Sequence, residues 1–410
     1  MKKTTKLRYY IESLCIYCVQ DDKVISALFN LLNSTDSEEV LQNQGVFFNA
    51  LSAHTSLKHY VSKLVLTHDN VFTKACANGT QNQLPQSVID GVTSDLKKLE
   101  AISAVTVQDI LDAVEDEDIK EILWTMPRWE TGTALLPLTY DWNEQLDDLA
   151  KFHKQNGYGV FARHIAFHWR DGKIQPISSV NKITLGDLKN YHSQRDKVVE
   201  NTVAFLQGLP ANNVLLYGDR GTGKSSTVQA ILNEYKNQGL RMVEISKGDI
   251  NELSLIREKL SQSPMKFIIF IDDLSFEAHD DSFGELKAAL EGSLSSGNSN
   301  IIIYATSNRR HLIKENFSDR ENDINRADSM QEAISLSDRF GLFVTFLNPN
   351  KDDYLDIVEK IVADRDFDVD IEKLKFAAER WATQRGGRSP RCAKQFIDYV
   401  EGCVKQGKDW

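Results

Sequence analysis

Apolar positions change their spacing along this chain, and the change divides it. Before about residue 180 they recur at helical intervals: Ile25, Leu28, Phe29 and Leu32 fall at i, i+3, i+4 and i+7, one stripe of a 3.6-residue helix. Thr106 with Asp109 reads as a capping box ahead of Ile110, Ala113 and Val114, and Pro127 stops that helix or the next. Near the end of this region Val160 to Trp169 and Ile174 to Ile177 flank Asp171-Gly172, a hairpin turn that predicts a small sheet. From Asn213 the pattern becomes short β-branched or aromatic runs: Val214–Tyr217, Met242–Ile245, Phe267–Ile271, Ile301–Ala305 and Phe343–Leu347. Joined by helical stretches, such runs predict an α/β unit with a parallel five-stranded sheet covered on both faces. Its ligand is expected beyond the carboxyl ends of the strands.

Composition narrows the class without naming it. At 410 residues and 41% hydrophobic content the chain has room for two or three globular domains. A formal charge of -11 argues against coating nucleic acid by bulk charge, although one local basic groove remains compatible with it. Neither a leader-like segment nor a run of eighteen apolar residues is visible, so the expected location is the cytoplasm, with no membrane partner. Five cysteines fit a reducing compartment. Cys15 and Cys18 have CxxC spacing but no second pair to complete a zinc site, and are read as thiols on the apolar face of a helix.

The stretch Gly218-Asp219-Arg220-Gly221-Thr222-Gly223-Lys224-Ser225 fits the phosphate-loop pattern G-x-x-x-x-G-K-[ST]. It follows an apolar run, and Ser226 opens a helix-like segment behind it, which is the context the pattern needs. Its glycines let backbone N–H groups turn onto a polyphosphate, Lys224 supplies a point charge, and Ser225 offers a hydroxyl to Mg²⁺. After the third run, Asp272 is the candidate Mg²⁺ ligand, and Asp273 or Glu277 the candidate base for the attacking water. Asn308, beyond the fourth run, is placed to hold water and the outer phosphate. Arg339, Arg388 and Arg391 are candidates for the charge that a γ-phosphate needs in its transition state. Between Ile183 and Gly208, Leu185, Leu188 and Tyr191 are candidate walls for adenine.

Taken in series, the phosphate loop, Asp272-Asp273, Thr306-Ser307-Asn308, Asp338-Arg339-Phe340 and Gly387-Arg388 resemble an AAA+ ATPase over residues 184 to 405. Leu209 to Gly218, Asp272 to Glu277 and Ala305 to Arg310 resemble in particular a bacterial AAA+ family carried as a domain of unknown function. The resemblance implies that Lys224 and Ser225 belong to Walker A, Asp272 and Asp273 to Walker B, Asn308 to sensor 1, and Arg339 to the arginine finger. It makes Arg388, ahead of Arg391, sensor 2, and residues 349 to 405 a helical lid. Three departures stand out. Asp273 occupies a position where most AAA+ proteins have glutamate, Ser246-Lys247-Gly248-Asp249 lacks the aromatic residue of protein-threading pores, and residues 309 to 336 form a long polar connection.

The expected organisation is a mainly helical partner or regulatory domain over 1–182, the nucleotide-binding domain over 183–348 and the lid over 349–410. The expected function is Mg²⁺-dependent ATP hydrolysis in a homo-oligomer with nucleotide at subunit interfaces, acting on a protein or nucleic-acid client. A nucleotide-gated scaffold or loader with little turnover is the alternative, followed by a small-molecule kinase. A GTPase is suggested only by N-K-x-D at Asn350 to Asp353.

Overall fold

Helical periodicity in the first part of the chain becomes a stack of helices around one apolar core, filled by Tyr17, Phe47, Trp129 and Trp142 among others. The computed structural model describes residues 2–275, 282–291, 300–308, 339–365 and 367–410. The chain falls into two units, Met1–Arg163 and His164–Trp410. In the first, the helix Lys23–Asn33 buries Ile25, Leu28 and Leu32, and the Asp22 carboxylate accepts the N–H groups of Val24 and Ile25 at its start. The capping box at Thr106 forms: Asp109 N–H donates to Thr106 Oγ1 at 3.3 Å, and Thr106 N–H to Asp109 Oδ2 at 3.0 Å.

Cys15 and Cys18 depart from the expected helix face. The first helix, Lys3–Glu12, ends before them, and both thiols lie exposed in the turn that follows. That turn is fixed from below by Asp95, fully buried on the helix Gln86–Ser103, whose Oδ2 accepts the N–H groups of Cys15, Ile16 and Tyr17 at 2.9, 2.7 and 3.1 Å. Asp95→Ala strands these donors and should cost about 3 kcal/mol, seen as a lower urea midpoint for the first unit. An unchanged midpoint would show that the turn holds without its carboxylate.

The second unit is built on a sheet of seven described strands: β1 (Ala166–Arg170), β2 (Lys173–Pro176), β3 (Val214–Gly218), β4 (Leu240–Ile245), β5 (Lys266–Ile271), β6 (Ile301–Ser307) and β7 (Leu342–Phe346). Their order is β2-β1-β4-β5-β6-β3-β7, and every pairing is parallel except β1 with β2. The five predicted runs form β3 to β7. β5 and β6 are buried along almost their whole length, as central strands covered on both faces must be.

The hairpin corrects the five-strand expectation. Asp171 and Gly172 both take positive φ, 51° and 67°, and make the predicted turn. The first arm starts only at Ala166, because residues 159–163 are helical. A lone two-stranded hairpin is marginal in water. Here β1 instead pairs along the open side of β4, Ala166 opposite Met242 and His168 opposite Glu244, so the hairpin extends the main sheet. The helices Lys351–Ala363, Ile371–Gln384 and Pro390–Lys405 follow β7 and share a core of their own around Tyr354, Leu374, Phe396 and Ile397.

Candidate functional site

The loop after β3 is shaped by contacts that only glycine permits. Gly218 has φ 132°, and a Cβ there would stand 2.0 Å from the carbonyl oxygen of Phe346. The close approach exists because the Asp219 N–H donates to that same oxygen at 2.8 Å, while Asp219 Oδ2 accepts the Asn348 N–H at 2.7 Å. β7 therefore holds the loop at its root. Gly221 and Gly223, at φ 78° and 94°, turn the chain into the helix Lys224–Tyr235. From Arg220 through Ser226, no backbone N–H donates to an acceptor among the described residues. A helix start leaves its first donors unpaired, and here the run extends back through the loop, which makes a cradle for an anion.

Lys224 is buried in that cradle. Its Nζ donates to the carbonyls of Gly218 and Asp219 at 2.8 and 2.7 Å and to Asn308 Oδ1 at 3.1 Å. Burial lowers the ammonium below the usual lysine range, against the opposing pull of Asp219, Asp273 and Asp272. Next to it, Ser225 Oγ donates to Asp272 Oδ1 at 2.6 Å and ties the helix start to the tip of β5.

The two aspartates are set by a residue to which sequence reasoning assigned no role. Pairing of Ile271 with Ala305 brings Thr306 beside Asp272. Thr306 Oγ1 donates to Asp272 Oδ1 at 2.5 Å and accepts the Asp273 N–H at 2.9 Å, and the Thr306 carbonyl accepts the Leu274 N–H at 2.7 Å. Asp273 is thereby held at φ 52°, with its Oδ1 taking a 2.6 Å hydrogen bond from Asn308 Nδ2. The available signal was a hydroxyl side chain immediately after the run Ile301–Ala305. Lys224, Ser225, Asp272, Asp273 and Asn308 thus meet at the carboxyl tips of β3, β5 and β6. Glu277 lies outside the described residues, as do Asp338 and nearly all of the connection at 309 to 336.

The arginines separate. Arg388 is committed to Glu379, its Nε 3.1 Å from both carboxylate oxygens. Arg391 reaches the loop instead: its N–H donates to the Gly221 carbonyl at 3.1 Å, and a Cβ on Gly221 would come within 3.1 Å of the Arg391 Cβ. Arg339 precedes β7, whose Leu342 pairs with Val214 while its Phe346 pairs with Gly218. It therefore stands at the opposite end of the sheet from Lys224, roughly 15 Å away by strand length alone.

Tyr191 also takes a different place from the expected one. Asn190 and Tyr191 both adopt positive φ, 63° and 58°, which swings the phenol under β7. Its ring lies tilted against Phe346, centroids 5.2 Å apart, and its hydroxyl donates to the Leu347 carbonyl at 2.6 Å, with burial raising the phenol pKa. The neighbouring Leu185, Leu188, Asn190 and Arg195 line a cavity of about 560 Å³ with Ala363 and Asp364 of the C-terminal helices. Lys189 forms an ion pair with Asp364 at 2.5 Å there. The N-K-x-D string is a helix start, in which Asn350 Oδ1 accepts the Asp353 N–H at 2.8 Å.

A parallel core ordered β4-β5-β6-β3-β7, with a phosphate loop after β3, paired aspartates after β5 and an asparagine after β6, defines an AAA+ P-loop protein. Within that class, residues 162–404 match the family described as "Protein of unknown function (DUF815)", and the chain belongs to it. The chain is 31% identical over 124 residues to the probable mitochondrial chaperone BCS1-A of Dictyostelium discoideum, a match covering 28% of each protein. It is 22% identical over 393 residues to proteasome-activating nucleotidase 1 of Haloferax volcanii, covering 87% of this chain and 92% of that one. Among solved structures, a point variant of Thermotoga maritima RuvB aligns over 54% of this chain and 65% of its own, at 16% identity and a TM-score of 0.39. The FIGL-1 AAA domain in complex with ADP aligns over 56% and 76%, at 15% identity and 0.37. The matches span little more than a quarter of the chaperone and just under two thirds of that RuvB chain. No described helix is long and apolar enough to cross a membrane.

Gly218→Ala should be among the most damaging single changes in the second unit. The added methyl meets a backbone carbonyl that is itself bonded, so β3 and β7 must separate, at a cost of roughly 3 kcal/mol or more. Thermal unfolding measures this, and a melting temperature equal to wild type would contradict the contact.

Proposed function

We propose that the second unit binds ATP with Mg²⁺ at the loop after β3 and hydrolyses it, using the free energy for conformational work on a partner. The observation that carries this reading is the uninterrupted run of N–H groups from Arg220 to Ser226 with no acceptor among the described residues, closed by the Lys224 ammonium. Hard oxygen donors at Ser225 and Asp272, already 2.6 Å apart, suit Mg²⁺ and would hold it. When bound, the ion neutralises charge on the phosphate oxygens. Lys224 then exchanges neutral loop carbonyls for anionic phosphate oxygens, which offsets the burial of its charge. Asn308 orients a water, and Asp273 accepts its proton as the water oxygen bonds to the γ-phosphorus and the bridging bond to the β-phosphate breaks, leaving ADP and phosphate. Glu277 remains the other candidate for the base.

Arg391 is the better reading than Arg388 for the arginine acting on the chain's own phosphates, because its backbone is bonded to Gly221 whereas Arg388 is paired with Glu379. Residues 349–410 would then act as a lid. Arg339, at the far end of the sheet, suits a neighbour's nucleotide in a homo-oligomer. The cavity beside Leu185, Arg195 and Ala363 suits the base, with Asn190 and Leu188 rather than Tyr191 as its walls. A gated scaffold with little turnover is the second reading. It is favoured by Asp273, shorter by one methylene than glutamate and already engaged by Asn308.

Substrate-free ATPase assays separate these readings. Lys224→Ala should abolish ATP binding and turnover, while Arg339→Ala should keep binding and lose about 10³-fold in rate. Mixing the two inactive variants should restore part of the activity, since each supplies what the other lacks. If turnover per chain is independent of concentration and mixing restores nothing, a shared site is wrong. Thr306→Val, which removes the hydroxyl at constant volume, should lower turnover about 10–100-fold with ATP affinity nearly unchanged, and Thr306→Ser should recover it. Equal rates for Val and wild type would remove Thr306 from the machinery.

A further inference from the structure

The helix Glu117–Thr125 in the first unit carries Ile119, Ile122, Leu123 and Trp124, yet only Leu123 among its residues is buried. Trp124 is 56% and Ile122 48% exposed. Beside them opens a cleft of about 530 Å³, lined by Leu111, Asp112, Glu117, Asp118, Glu121 and Trp124. Glu117, Glu121 and Trp124 fall at i, i+4 and i+7 and so share one helix face. Lys120 also lines the cleft but is tied to Glu117 at 2.6 Å, and Asp112 accepts from Gln108 at 2.7 Å. The carboxylates of Asp118 and Glu121 meet no cation among the described residues. Four acids against Lys120, with Arg128 over the Trp124 ring, leave the cleft net negative, and the volume is that of a ligand-sized cleft.

Trp124 adds a second kind of contact. The Arg128 guanidinium rests 3.9 Å from the centre of its ring, so the indole is already used as a seat for a cation. An exposed aromatic beside unpaired carboxylates is a poor surface for phosphates or for anionic lipid headgroups, which the four acids repel. It suits a chain that brings positive charge and a bulky apolar residue together.

We propose that this face docks a basic, apolar-bearing peptide segment of a partner protein. Its lysine or arginine side chains pair with Asp118 and Glu121, while its apolar side chain covers Leu111 and the exposed part of Trp124. Binding of this kind gains little from rim charge alone and needs the aromatic anchor. The site stands in the first unit and does not depend on the nucleotide reading of the second.

Fluorescence anisotropy of a fluorescein-labelled lysine/leucine peptide against the full chain tests it. Wild type should bind in the micromolar range, and more weakly as salt rises. The pair Asp118→Lys/Glu121→Lys should weaken binding at least about tenfold, and Trp124→Ala by a similar factor, with far-ultraviolet circular dichroism unchanged at these exposed positions. Because the whole chain is acidic, the control is an equal charge reversal elsewhere in the unit, Asp147→Lys/Asp148→Lys on the helix Leu146–Asn156, which should stay within about twofold of wild type. Equal weakening by both pairs would reduce the effect to net charge and overturn the proposal. So would a Trp124→Ala variant that binds like wild type, or the absence of peptide binding. Concentration-dependent dimerisation that the Asp118→Lys/Glu121→Lys pair abolishes would assign the face to a second copy of the chain instead, and overturn it too.

Discussion

One carboxylate oxygen joins the parts of the second unit that chemistry needs together. Asp272 Oδ1 accepts a hydroxyl from Ser225 on one side and from Thr306 on the other. Through it the helix behind the loop, the tip of β5 and the tip of β6 become a single hydrogen-bonded cluster. An ionised acceptor can hold two such donors where a neutral one would do so more weakly. The strands set the register that makes this possible, because parallel pairing of β5 with β6 and of β6 with β3 brings their carboxyl ends level.

That arrangement also explains the placement of Asp273. A left-handed residue without glycine's freedom is tolerated only when its surroundings dictate it. Here the Asp273 N–H is taken by Thr306 and its side chain by Asn308, so both ends of the residue are fixed by the tip of β6 and the residue that follows it. The same Asn308 accepts from Lys224, which links the cation of the loop to the acid of the strand tip.

What the sequence showed best was whatever is written locally. The glycine pattern at Gly218 to Ser225, the apolar runs of β3 to β7, the turn at Asp171-Gly172 and the box at Thr106 each follow from neighbours within a few residues. What it hid was partner choice between distant segments. The hairpin has a clear turn but nothing that names β4 as the strand it will pair with. Tyr191 reads as an apolar wall, yet a positive φ at Asn190, a type that tolerates it, followed by another at Tyr191, a type that does not announce it, sends the ring under β7. Arg388 and Arg391 lie three residues apart in sequence, and only distant partners separate them, Glu379 for the first and Gly221 for the second. Thr306 went unassigned for a similar reason, since its importance lies in which aspartate the sheet sets beside it. Asn350 is the converse, a string that spells specificity and serves as a helix cap.

One of the two edge strands of the sheet, β2, has a bearing on how copies of the chain can meet. It is only four residues long, opens with Lys173 and closes with Pro176, a residue with no N–H to offer. Charge, brevity and a missing donor are the usual defences of a selvage against strand-by-strand growth. By folding back beside β4, the hairpin trades a long, ladder-ready border for a short, blunted one. That border is therefore a poor template for stitching sheet to sheet between copies of the chain.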